Sequence, residues 1–247
     1  MCGRATLTNE DFEEIAAELD AAFSPEDARL YRPRFNIAPT DLHWTVESSG
    51  QRRVLIPARW GYLASGRPLI NVRGEQVGSG KGFREAFRSR RCLVVTDGFY
   101  EWDRHKVPSW YHRPGGGLVL LAGLLQHPGD GSAPAPPGVP AGAGGDGDPS
   151  SPGASARPRF TILTTRPNRV VAEVHDRMPV IIAPETIDQW LTAEPARAAA
   201  LIAPAPDDTL VATRVSKRVN AVKNDDPACL RPEEPTGQDA PAQRSLF

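Results

Sequence analysis

Long apolar runs, paired cysteines and a dominant charge sign are all missing from this chain. No apolar stretch reaches the roughly 18 residues that a membrane-spanning helix needs. The amino-terminal MCGRATLTNEDF lacks the basic-then-apolar layout of a secretory signal, so no membrane association and a cytoplasmic location are expected. The three cysteines, Cys2, Cys92 and Cys229, form no CxxC pair. That argues against a disulfide framework and against a cysteine zinc site; neither a metal nor an organic cofactor is expected. A net charge of −1 excludes the uniformly basic body of a bulk DNA-coating protein.

What is present is more specific. Of 29 basic residues 25 are Arg, and residues 50–113 hold 13 Lys and Arg against 5 Asp and Glu, a local excess of 13 − 5 = +8. The planar Arg fork suits phosphate oxygens, so this stretch could line an anion-binding face, although on composition alone a bias toward Arg explains it better. Hydrophobic residues make up 40% of 247, enough for one ordinary core.

Helical spacing of Phe12, Ile15, Ala16, Leu19 and Phe23, with Thr8 and Asp11 resembling a capping arrangement, predicts a helix over 8–23. Runs rich in β-formers predict strands at 42–47, 53–56, 92–96, 118–125, 159–164 and 209–213, and a second helix is expected over 184–191. Strands and helices do not alternate regularly. The expected class is therefore α+β, a single domain over 1–230. Residues 127–157 are nearly all Gly, Pro, Ala, Ser and Asp and read as a disordered insertion between two neighbouring strands. The tail 231–247 reads as disordered too.

Cys2 carries the most distinctive chemistry. Removal of Met1 would leave an amine and a thiol on one residue. The amine, with an ordinary pKa of about 8, can attack an aldehyde, and the thiol can then close a five-membered thiazolidine on the same carbon. Ring closure is intramolecular, which makes the adduct more durable than an open Schiff base. Taken alone, a Cys after Met is better explained by simple packing.

The motifs around it resemble one family from end to end. MCGR at 1–4, RFNIAPT at 34–40, RWGYL at 59–63 and NVRGE at 71–75 come first. RCLVVTDGFYEW at 91–102, AGLL at 122–125, FTILTT at 160–165, VHDRMPVII at 174–182 and VSKRVNAVKNDDPACL at 215–230 follow in order. This set is similar to the SRAP family, whose members crosslink covalently to abasic sites in single-stranded DNA.

The resemblance implies a barrel-like, mainly antiparallel β core with flanking short helices and an electropositive DNA-binding groove. It implies Cys2 as the crosslinking residue, Asn71 as the amide that steadies the adduct, and Glu101 as the proton-transfer group for opening the abasic sugar. His175 is implied to bond the opened sugar and to shuttle protons, and β-lyase and autoproteolytic activities are implied as well. Asp176 beside it receives no role, because adjacent side chains on an extended strand point oppositely. Arg4, Arg73, Arg177 and Lys81 are implied as phosphate contacts, Thr164 and Thr165 as hydroxyl contacts to phosphates, Trp60 and Trp102 as rings that stack on bases or wedge between them, and Pro39 as a further DNA contact.

Departures are modest: Val72, Gly74 and Gln76 stand where small residues are usual around Arg73, and VTDG stands where PADG is common. The final QRSLF resembles a peptide that docks on the bacterial sliding clamp, through Gln243, Leu246 and Phe247. A monomer is expected, nucleoid-associated when acting on DNA. Two other readings stay open: a peptidase that uses Cys2 on protein substrates, and a noncatalytic module for single-stranded DNA.

Overall fold

The computed structural model describes residues 2–78, 82–130 and 157–233. Its centre is a closed ring of five strands. Arg52–Trp60 lies antiparallel to Leu42–Ser49, which pairs with Arg91–Thr96, then Val119–Gln126, then Arg159–Thr165. Arg159 and Phe160 pair in parallel with Arg59 and Trp60, and this closes the ring. Closure removes open edges, and side chains fill so small a barrel. Val46, Leu55, Leu93, Leu121 and Ile162, one from each strand, are fully buried in a single core.

The expected barrel-like α+β core is therefore present, with three parallel junctions inside a mainly antiparallel arrangement. Ala21–Phe23 runs parallel to Arg52–Trp60, and Asn71–Arg73 runs parallel to Arg159–Thr165. A second sheet is ordered Val211–Arg214, Pro108–His112, Gly98–Trp102, Ala5–Leu7 and Arg34–Ile37. Its register decides which residues can reach the site. Phe99 faces Tyr111 and Glu101 faces Ser109, whereas Tyr100 and Trp102 alternate to the opposite side. Phe99 and Tyr111 belong to the main core, so Glu101 shares the inward side. Tyr100 instead packs with Val215, Val219 and Cys229 under the carboxy-terminal segment.

The helix expected over 8–23 is shorter than its pattern. It spans Phe12–Glu18, capped by Asp11, whose carboxylate accepts from the Glu13 and Glu14 amides. Thr8 is not the cap because its amide and hydroxyl both donate to Asp97. The chain turns at Asp20, in the left-handed region at φ 47°, and Ala21–Phe23 becomes a strand. Phe23 still meets Phe12, edge to face at 5.1 Å, so one apolar spacing serves two elements. The second helix starts as a 3-10 turn at Pro184–Thr186 and continues through Ile187–Thr192, anchored by Trp190 Nε1 donating to Cys92 O at 2.8 Å.

Gln126 pairs with Arg159, so the insertion joins neighbouring strands as expected. Its roots are held by ion pairs: His127 with Glu47 at 2.9 Å, Asp130 with Arg90 at 2.9 Å, and Arg157 with Asp27 at 2.8 Å. Residues 131–156 and 234–247, with Gln243, Leu246 and Phe247, lie outside the described residues, as does Lys81. Among the described residues no helix is long and apolar enough to cross a membrane.

Candidate active site

Cys2 precedes the Ala5–Leu7 strand and is fully buried in the main core. Its carbonyl accepts a hydrogen bond from Asn71 Nδ2 at 2.7 Å, which ties the chain terminus to the Asn71–Arg73 strand. Asn71 Oδ1 is buried and makes no hydrogen bond among the described residues. An amide held by its donor end while its acceptor end stays unsatisfied is uncommon in a core.

The electrostatics of the group are consistent with a dry site. Burial pushes the Cys2 thiol well above its ordinary value, and the negative charge of Glu101 adds to that; the positive chain terminus opposes both. Burial also raises Glu101, against the terminal charge and its hydrogen bond. His175 is lowered, by burial first and then by the terminal charge, with Asp176 opposing. A protonated thiol, a carboxyl that holds its proton more tightly than usual and a neutral imidazole are the resting states these directions favour.

His175 lies in a turn, not an extended strand, between Arg169–Ala172 and Met178–Pro179. That overturns the reason for setting Asp176 aside: its Oδ1 stands 2.9 Å from His175 Nδ1. The same Nδ1 accepts the Arg177 amide at 3.0 Å. The two contacts suit opposite states. Neutral imidazole accepts from Arg177 and carries its proton on Nε2; imidazolium donates to Asp176.

Of the residues implied as DNA contacts, Arg4 and Trp102 face each other, with the guanidinium 5.9 Å from the ring centre. They line a shallow hollow of about 410 Å³ with Gly3, Lys106 and Asn220. Arg73 is exposed and Pro39 half-buried. Three expectations meet a different environment. Trp60 is 1% exposed, stacked on Phe160 and donating to Ile70 O, so it presents no face to a base. Thr164 and Thr165 are buried, and the Thr164 hydroxyl donates to Val72 O. The Arg177 fork is occupied by the Glu75 carboxylate.

Sequence reasoning passed over the supports. Asn36 is fully buried; its Oδ1 accepts from Arg4 at 2.7 Å, and its Nδ2 is shared by the carbonyls of Val219, Ala221 and Asn224. Asp225 caps the Phe35 and Asn36 amides, and Asn220 Oδ1 accepts from Trp102 Nε1 at 2.6 Å. The carboxy-terminal segment therefore holds Arg4 and Trp102 in place. Asn36→Ala strands several buried polar groups at once and is expected to cost about 3 kcal/mol in a urea titration. A loss under about 1 kcal/mol would show that water replaces these bonds.

The fold and this site define one α+β domain organised around a buried cysteine at the chain's start. A family model described as SOS response associated peptidase (SRAP) matches residues 1–222, and the chain belongs to that family. It is 31% identical over 245 residues to the abasic site processing protein YoqW of Bacillus subtilis (strain 168), covering 93% of this chain and 99% of that protein. Identity to the abasic site processing protein YedK of Escherichia coli (strain K12) is 27% over 205 residues, 78% of this chain and 81% of that one. HMCES of Mus musculus, also named an abasic site processing protein, is 27% identical over 258 residues, covering 84% and 67%. A crystal structure of a Bacteroides thetaiotaomicron protein shares the fold at a TM-score of 0.74 and 17% identity, covering 94% of this chain and all of that one (100%). A phage-related protein from Bordetella bronchiseptica superposes at 0.62 with 26% identity, over 87% and 95% of the two chains.

Proposed function

We propose that this protein processes abasic sites in single-stranded DNA by forming a covalent crosslink through Cys2 after loss of Met1. The observation that carries the reading is the Asn71 to Cys2 contact at 2.7 Å beside a buried Glu101. Relatives named abasic site processing proteins supply the substrate class.

The pKa directions suggest an order of events. A thiol held protonated by burial is a poor first nucleophile, so the freed α-amine attacks the aldehyde carbon. The aldehyde must first be released from its cyclic hemiacetal, which requires a proton on the ring oxygen; Glu101, raised by burial, is the donor. The carbinolamine then loses one water to give the imine. Addition of the sulfur to the imine carbon follows, with the thiol proton passing to nitrogen. The net change is the union of protein and DNA with loss of one water.

Asn71 holds the backbone of Cys2 and offers its free Oδ1 to the new amine. His175, neutral at rest and able to turn to Asp176 when protonated, serves the imine steps, and β-elimination of the strand from that imine would be the lyase branch. Arg4, Lys106 and Trp102 around the hollow, with the exposed Arg73, supply charge and a stacking surface for an electropositive groove.

The test is a denaturing gel of protein mixed with single-stranded DNA that carries one abasic site. A heat-stable shifted band is expected, and none with undamaged DNA. Binding without a covalent band would instead favour a noncatalytic module, and cleavage of unrelated peptides would favour the peptidase reading.

A further inference from the structure

Asn71 and His175 stand on separate segments, and something must set their spacing. Asn71 opens the Asn71–Arg73 strand, which runs directly into the one-turn helix Gly74–Val77. The turn bearing His175 leads into Met178–Pro179. Both segments flank one strand end: Thr164 lies opposite Arg73 on one side and opposite Pro179 on the other.

Arg177, two residues after His175, joins all three. Its Nη1 and Nη2 donate to the two Glu75 carboxylate oxygens at 2.9 and 2.7 Å, and Nη2 also donates to Thr164 O at 2.6 Å. The Arg177 side chain is 13% exposed and that of Glu75 48%, so the pair is bidentate but open to solvent on its carboxylate side. The turn that presents Glu75 comes this close because residue 74 has no side chain. A Cβ there would stand 2.4 Å from Ile202 Cγ2 and 3.2 Å from Thr164 O.

We propose that Glu75 is a positioning residue: acting through Arg177, it fixes the strand that carries Asn71 against the turn that carries His175. The inference rests on the crosslinking function proposed above.

Glu75→Gln tests this, since it keeps the size but loses the bidentate charged contact. The single-turnover rate of adduct formation is expected to fall about tenfold, as small misplacements of reacting groups do. Affinity for the same strand carrying an unreactive tetrahydrofuran analogue should stay unchanged. The double variant Glu75→Gln/Arg177→Lys should be no slower than the slower single, because both act on one path. In an NMR titration, the His175 value should shift in Glu75→Gln, because its turn is no longer tied and Arg177, whose charge lowers it, has lost its counter-charge. An unchanged adduct rate overturns the proposal. Tighter binding of the analogue by Glu75→Gln does so too, and makes Glu75 a competitor of phosphate at Arg177. A wild-type protein that forms no adduct sinks the functional reading instead; the His175 titration then decides the positioning role, and an unmoved value refutes it.

Discussion

Replacing Cys2 with Ala should abolish the heat-stable band on abasic DNA, a loss of at least about 100-fold in adduct yield, given how much of its durability comes from intramolecular ring closure. The variant retains an amine once Met1 is removed, so it can still form an imine. Borohydride should trap that imine as a reduced band in Cys2→Ala, whereas the wild-type adduct should survive denaturation without reductant. Non-covalent affinity should change little, because Arg4, Arg73 and Trp102 are untouched. Cys2 is fully buried, and loss of its sulfur leaves a small gap worth about 1 kcal/mol, too little to unfold the domain. A heat-stable, borohydride-independent band in Cys2→Ala would place the nucleophile elsewhere.

Glu101→Gln carries the second large effect. The amide preserves shape and can still accept a hydrogen bond, but it cannot deliver a proton to the sugar ring oxygen or to the departing hydroxide. General acid catalysis of this kind is typically worth about 10² to 10⁴ in rate, and a loss near the lower end is expected in single-turnover crosslinking. The pH profile carries the sign. Burial raises Glu101, so its acid form persists closer to neutrality than that of an ordinary carboxyl, and the fraction of that form falls as pH rises. The α-amine, with an ordinary pKa of about 8, must be neutral in the same species; its neutral fraction rises with pH, and the product of the two gives a bell. Glu101→Gln should lose the alkaline limb and keep the acidic one. An unchanged bell in the variant would assign the acid to another group, with His175 the next candidate.

The residues proposed to react, Cys2, Asn71, Glu101 and His175, stand out in the sequence because each sits inside a distinctive block, and the chemistry of an amino-terminal aminothiol is fixed by covalent structure. Their surroundings were harder to read. The strands Asn71–Arg73 and Gly98–Trp102 are short and broken by polar or glycine residues, so no alternation marks them, yet they carry Asn71 and Glu101. Trp60 and Trp102 look alike as sequence. Only the register distinguishes a ring stacked on Phe160 in the core from one that faces Arg4 at the surface. Asp176 was set aside on strand geometry that its turn does not have, and Glu75 could not be linked to Arg177 across 102 positions without the pairing of both segments to Thr164. The long helix was over-read for a related reason: Phe23 continues a helical spacing by packing on Phe12 from a strand.

The dependence on Met1 removal is the sharpest consequence of the mechanism, because a Met1-capped chain has no α-amine on Cys2 and cannot close the ring. Intact mass spectrometry of protein reacted with an abasic oligonucleotide, on a preparation containing both Met1-free and Met1-retaining chains, measures this directly. The expected result is an adduct on Met1-free chains alone, with the summed mass less one water and with the Cys2 thiol no longer open to alkylation. The same stable adduct on chains that still carry Met1 would contradict it.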